Sequence, residues 1–224
     1  MLSHIKICGV TDADAAIDAA IAGATLVGFV FFKKSPRFID PGAAEDIVTQ
    51  VKRAADDMGF AVPGFVGLFV DGGESALAEA APFLSHFQFH GHESPERCAA
   101  IRGEFGIDVI KAIPIGAAAD VATVGEFSDA ADMLLLDARP PKGAERPGGH
   151  GQPFDWSLLA AYGADTPFLV AGGLTPQTVA AAVAAVKNIP AFAGVDVSSG
   201  VETAAGVKDG ELIAAFVRAA RAAY

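Results

Sequence analysis

The stretch that decides the fold is Phe168–Val183, FLVAGGLTPQTVAAAV, together with Phe192–Glu202, FAGVDVSSGVE. Phe168 to Ala171 is a short apolar run of strand type. Gly172-Gly173 forms a turn, and Thr175-Pro176 pairs an N-cap residue with proline at the first helical position of an alanine-rich helix. A second strand, Phe192 to Val195, ends in Ser198-Ser199-Gly200. Two strand ends close in sequence therefore offer two loops whose backbone N–H groups can approach an anion, with a helix start supplying further unpaired donors. Alone, each loop would read as a tight turn. As the last two strand–helix units of an alternating chain, they match the phosphate site of (β/α)8 barrels, which lies between the loops after strands seven and eight. Gly172, Gly173, Ser198, Ser199 and Gly200 are the phosphate-binding candidates.

The rest of the chain has the same rhythm. Strands are expected at Ile5 to Cys8, Leu26 to Phe31, Gly64 to Val70, Phe87 to His90, Val109 to Ile113 and Met133 to Asp137, ahead of the two already named. Helices are expected at Asp12 to Ala22, Pro41 to Met58, Glu74 to Ala81, Pro95 to Phe105, Ala117 to Phe127, Trp156 to Tyr162, Pro176 to Val186 and Asp209 to Ala223. Thr11 is the expected cap of the first helix, and Asp40-Pro41 and Ser94-Pro95 repeat the cap-plus-proline signal. Parallel neighbours require crossovers, so alternation without a polar linker predicts a parallel sheet, and eight units predict its closure into one α/β domain over residues 1–224, a (β/α)8 TIM barrel. An open doubly wound sheet is the rival, but GxGxxG after the first strand is missing.

Bulk properties narrow the function. The 224 residues are 52% hydrophobic, enough for one large core, and no apolar run approaches the roughly 20 residues of a membrane span. MLSHIKICGV has no signal-peptide pattern, so cytoplasm is the expectation. Cys8 and Cys98 make neither a disulfide framework nor a metal-binding CxxC. A net charge of −11 excludes a basic nucleic-acid surface, so attraction for an anionic ligand must be local.

Alternate residues of a barrel strand face the helices or the interior. With Ile5 and Ile7 facing out, Lys6 and Cys8 point in; with Phe87 and Phe89 out, Gln88 and His90 point in. Ile110 and Ala112 are read as outward and Lys111 as inward, joining Gln88 in a hydrogen-bonded interior network. Cys8, His90 and Asp137 end their strands at the carboxyl face, where barrel active sites are built. His90 receives no catalytic role. Cys98, spaced with Ile101 and Phe105, reads as core.

In their order, IKICGVTDADAA, GFVFFKKSPRFI, VGLFVD, FQFHGHE, LLLDA, GGHGQPFDW, VAGGLTP, GVDVSSGVE and GVKD resemble the phosphoribosylanthranilate isomerase family over nearly the whole chain. The resemblance implies a cofactor-free, metal-free Amadori rearrangement of a small phosphorylated substrate in tryptophan biosynthesis. It implies that Cys8 is the general base and Asp137 the general acid, that Arg37 holds the substrate carboxylate, and that the loops around Gly173 and Ser199 hold the phosphate. Residue chemistry agrees. Asp137 follows the poorly solvated run Met133–Leu136, which favours a neutral acid. Cys8 precedes a helix start and shares a face with Lys6, both of which favour thiolate. Arg37, stiffened by Pro36, offers a planar fork to a planar carboxylate. A histidine-pathway aminoaldose isomerase, in which resemblance implies an aspartate base, and a non-catalytic sugar-phosphate-binding barrel are the alternatives. A monomer without nucleic-acid or membrane partners is expected. The loop ARPPKGAERPGGHGQP, basic at Arg139, Lys142 and Arg146 and carrying His150, reads equally as a lid or as surface loop.

Overall fold

β-branched, leucine and phenylalanine runs between helix caps make strands buried on both faces, the pattern of a parallel sheet covered by helices. A computed structural model describes residues 2–141, 143–144, 148 and 153–224. Its strands are β1 (His4–Cys8), β2 (Leu26–Val30), β3 (Gly64–Phe69), β4 (His86–Phe89), β5 (Asp108–Ile115), β6 (Met133–Ala138), β7 (Phe168–Val170) and β8 (Phe192–Val197). All are parallel and pair in chain order, and β1 pairs back onto β8 with Lys6 opposite Asp196, which closes the barrel. Lys142, Arg146 and His150 of the long loop lie outside the described residues.

Around the barrel run α1 (Ala13–Ala22), α2 (Pro41–Met58), α3 (Glu74–Ala80), α4 (Pro95–Phe105), α5 (Ala118–Ala122), α6 (Val179–Val186) and α7 (Gly210–Ala223). None is long and apolar enough to cross a membrane. The cap of α1 is Asp12, whose carboxylate accepts from Ala15 N at 2.8 Å, and not Thr11. Thr11 is turned to donate to the Gly206 carbonyl at 3.1 Å. Two expected helices are curtailed. The run from Ala117 breaks into α5 and a tight 3₁₀ turn, Val124–Phe127, with Gly125 inside it, and Trp156–Ala161 is 3₁₀ throughout. Similarly, α6 starts three residues after Pro176, because the Thr175 hydroxyl accepts from Gln177 N and Thr178 N and holds Pro176–Thr178 as a turn.

The core has two layers. Ile5, Ile7, Val27, Phe29, Phe87, Phe89 and Leu134 pack between the sheet and the helices, and Leu26, Val66, Ile110, Ala112, Met133, Leu135 and Leu169 fill the barrel. Each Val, Leu, Ile, Phe or Met among them contributes about 1.5–3 kcal/mol on burial. Lys111 is a correction to the strand parity: it pairs in register with Phe89 and Leu134, so it faces the helices, and Ile110 and Ala112 face in. Its ammonium donates to the Gly91 carbonyl at 2.7 Å and to Glu93 Oε2 at 2.8 Å. Both faces of β5 are apolar, so alternation there carried no information about which way the lysine points.

A hairpin absent from the sequence reading, β9 (Glu202–Ala204) with β10 (Val207–Lys208), follows β8 after a 3₁₀ turn, Ser199–Val201. It puts Glu202 and Lys208 at the carboxyl mouth.

Candidate active site

One cavity opens at the carboxyl ends of the strands, and Cys8, Arg37, Asp137, Gly172, Gly173, Ser198 and Ser199 line it together. Gly200 does not line it. Its Cα packs against the Leu174 carbonyl, where a Cβ would collide, so this glycine lets the loops after β7 and β8 touch. Val30, Phe32, Leu68 and Val70 make an apolar wall beside Cys8.

Cys8 is 5% exposed and sits at the end of β1 above Lys6, which is fully buried. Lys6 Nζ donates to Asp196 Oδ1 at 2.6 Å. Burial alone would discharge this lysine, yet the pair with Asp196 and the neighbouring thiol outweigh burial and raise its pKa. For Cys8 the balance is reversed: burial pushes the thiol above its ordinary value, and the opposing pull of Lys6 does not overcome it. The expectation that Lys6 and the helix start would favour thiolate is thus corrected, because desolvation of the charged sulfur is the larger effect. The resting group is the thiol, held beside a fixed cation.

Asp137 ends β6 and is 8% exposed. Its Oδ1 accepts from Ala138 N at 2.8 Å, and its Oδ2 lies 3.3 Å from His90 Nε2. The amide nitrogen of Gln88 stands 3.2 Å from His90 Nδ1. With that amide donating, Nδ1 is the acceptor and Nε2, the nitrogen nearer Asp137, carries the proton. Gln88 was expected in an interior network and is there on one side alone: its Oε1 is buried with no partner among the described residues.

Arg37, expected on a loop, is 6% exposed. Ser35 Oγ accepts from its backbone N at 3.1 Å, bracing the loop after β2. Its guanidinium Nε and Nη2 donate to Glu202 Oε1 and Oε2 at 2.7 and 2.8 Å, a two-point ion pair. Glu202 Oε1 also accepts from Lys208 Nζ at 2.7 Å, and Lys208 donates to the Ser198 carbonyl at 3.0 Å. Burial raises the Glu202 pKa, but the bonds from Arg37 and Lys208 more than reverse this, so the carboxyl stays ionised. Burial lowers the Lys208 pKa despite Glu202. Asp196, Glu202 and Lys208 were within quoted motifs but had no assigned role; an aspartate inside the apolar run GVDV was the available signal.

Around the last two loops, Gly172 and Gly173 have φ of +82° and +63°, which turns the backbone of this loop over the cavity. Among the described residues their N–H groups donate to no acceptor. The expected help from the α6 start is reduced, since the Thr175 and Thr178 hydroxyls already occupy the turn before it. The cavity therefore brings together an apolar wall, an arginine, open backbone amides, a thiol and a carboxyl. Among the described residues no three His, Cys, Asp or Glu side chains cluster as a metal site requires.

The chain matches the family model for N-(5'-phosphoribosyl)anthranilate (PRA) isomerase over residues 5–219. A Rhodospirillum rubrum protein named N-(5'-phosphoribosyl)anthranilate isomerase is 50% identical over 97% of each chain. A crystal structure of phosphoribosyl anthranilate isomerase in complex with reduced 1-(o-carboxyphenylamino)-1-deoxyribulose 5-phosphate superposes with a TM-score of 0.80, at 31% identity over 98% of each chain. Monomers generated from the dimeric Thermotoga maritima enzyme superpose with a TM-score of 0.79, at 30% identity over 98% of each chain.

Proposed function

The chain belongs to the N-(5'-phosphoribosyl)anthranilate isomerase family, and from that premise we propose how its own residues carry out the family's reaction. It is an aldose–ketose isomerase of tryptophan biosynthesis, converting N-(5'-phosphoribosyl)anthranilate to 1-(2-carboxyphenylamino)-1-deoxyribulose 5-phosphate. Asp137 delivers a proton to the furanose ring oxygen, and the ring C–O bond breaks to leave an iminium at C1. Cys8 removes the proton from C2, and the electron pair moves into an enolamine that tautomerises to the ketone. General acid–base groups each contribute about 10²–10⁴-fold.

The observation that carries this reading is the convergence of Cys8, Asp137 and Arg37 on one cavity with the open amides of Gly172 and Gly173. Cys8 needs its proton removed before it can act as base, and Lys6, kept charged by Asp196, is the group that stabilises the anion formed. The apolar wall suits the anthranilate ring, and the Nη edge of Arg37 left free by Glu202 suits its carboxylate. The phosphate belongs at Gly172-Gly173 and Ser198-Ser199, with Gly200 setting how closely those loops approach. A histidine-pathway reading has less support because the first strand ends in Cys8 where that reading requires a carboxylate base.

All these groups come from one chain, which supports a monomeric unit of function in a single domain. A cytoplasmic setting rests on Cys8 and Cys98 both being buried free thiols. The deciding experiment is incubation with phosphoribosylanthranilate, following the loss of its fluorescence. Loss at the rate of buffer alone would overturn the reading.

A further inference from the structure

The hairpin β9–β10 contributes charged groups to the mouth that the reaction as described does not use. Glu202 engages Arg37 side-on, through Nε and one Nη2 hydrogen, at 2.7 and 2.8 Å. A guanidinium has five N–H donors, so this grip leaves the adjoining Nη1–Nη2 edge without a partner among the described residues, on a side chain that lines the cavity. Both partners are nearly free of water, with side chains 7% and 5% exposed, so the orientation is not diluted by solvent competition. The same carboxylate oxygen accepts from Lys208, which is fixed to Ser198 of the loop after β8. Thr11 ties the turn of the hairpin to the first loop through the Gly206 carbonyl.

We propose that Glu202 is a positioning residue for substrate specificity: by holding Arg37 side-on and Lys208 against Ser198, it sets the orientation of the carboxylate-binding edge relative to the phosphate loop. The inference rests on the reading of Arg37 as the carboxylate ligand. A merely structural ion pair would fix the hairpin but leave selection between substrates unchanged. A positioning pair determines how well the protein distinguishes a ligand bearing the ring carboxylate from one lacking it.

The test measures binding of reduced 1-(o-carboxyphenylamino)-1-deoxyribulose 5-phosphate and of the same compound without the ring carboxylate, in wild type, Arg37→Ala, Glu202→Gln and the double variant. Glu202→Gln is expected to reduce the preference for the carboxylated ligand by about 10–100-fold, the scale of one misplaced charge-assisted contact. In the Arg37→Ala background it should reduce the preference no further, because both changes remove one interaction. Glu202→Asp keeps the charge that Lys208 needs but is one methylene too short to reach both guanidinium donors at 2.7 and 2.8 Å, and it should also lose preference while keeping the fold. Unchanged preference in Glu202→Gln and Glu202→Asp, or additive loss in the double variant, overturns the inference alone. Unchanged preference in Arg37→Ala overturns the carboxylate reading and the inference with it.

Discussion

Nε2 of His90 stands 3.3 Å from Oδ2 of Asp137, while Nδ1 of the same ring faces the Gln88 amide nitrogen at 3.2 Å. The imidazole thus stands in close polar contact with the proposed acid. His90→Ala removes this contact and leaves the carboxyl in place. We expect kcat to fall about tenfold, less than for loss of the acid itself, since a general acid contributes about 10²–10⁴-fold. Equal losses for the two variants in steady-state assays would mean that the ring itself transfers a proton.

Cys8→Ala and Asp137→Asn are each expected to lower kcat by about 10²–10⁴-fold. Neither removes Arg37 or the open amides of Gly172 and Gly173, and Asn keeps the shape of the Asp137 side chain beside Gly172, so the reduced product analogue should bind within a few-fold of wild type. Near-normal turnover in either variant would reassign that residue.

The pH dependence follows from Cys8. Burial raises its thiol pKa above the ordinary value, so the thiolate fraction, and with it the base-dependent rate, should still be rising with pH through the neutral range and beyond. Lys6 pulls the thiol the other way. Removing it with its partner, as Lys6→Met with Asp196→Asn, avoids leaving one buried charge alone. The ascending limb of kcat should then move to higher pH and activity at neutral pH should drop. A limb that stays where it was would separate Lys6 from the chemistry.

Inorganic phosphate should occupy the amides of Gly172-Gly173 and the loop at Ser198-Ser199 without the rest of the substrate. Saturable stabilisation is expected, about 2.7 kcal/mol at a concentration of 100 Kd, together with competitive inhibition. Both glycines have positive φ, so a side chain there would strain the backbone as well as block the anion. The better control is sodium chloride at matched ionic strength, and equal effects of the two salts on Tm and KM would remove the clamp.

At the opposite end of the barrel, burial lowers the pKa of His4, and of His86 even against the nearby Asp108. The folded state therefore binds fewer protons than the unfolded one. Their contribution to stability is complete above the unfolded value of 6.5 and is lost as pH falls through the depressed folded values. Urea midpoints should decrease from pH 7 toward pH 5, and His4→Gln with His86→Gln should flatten that decrease. An unchanged slope would place the acid sensitivity elsewhere.

Much of this was legible locally. Strand ends at Cys8 and Asp137 follow from where apolar runs stop, and the bounds of α2 and α4 follow from Asp40-Pro41, Ser94-Pro95 and the glycines at 59 and 106. A cap residue alone did not fix every helix start, even where proline followed it. Asp12 displaced Thr11 as a cap because its carboxylate reaches Ala15 N, and the Thr175 hydroxyl made a turn where a helix was expected.

The sequence by itself determined the eight-unit alternation, the parallel sheet that alternation requires, and the set of loops gathered at its carboxyl face. Those properties depend on hydrophobic period and chain punctuation, which are local. Only the tertiary structure decided what each charged side chain does there. Lys6 meets Asp196 across 190 positions and Arg37 meets Glu202 across 165, pairings that exist because closure of β1 onto β8 brings the chain's ends together. It also decided that Lys111 faces outward and that Cys8 rests as a thiol. The first is set by the register of β5 with its neighbours and the second by competition between burial and a charged neighbour, and burial is set by everything packed around a group, not by its neighbours in sequence.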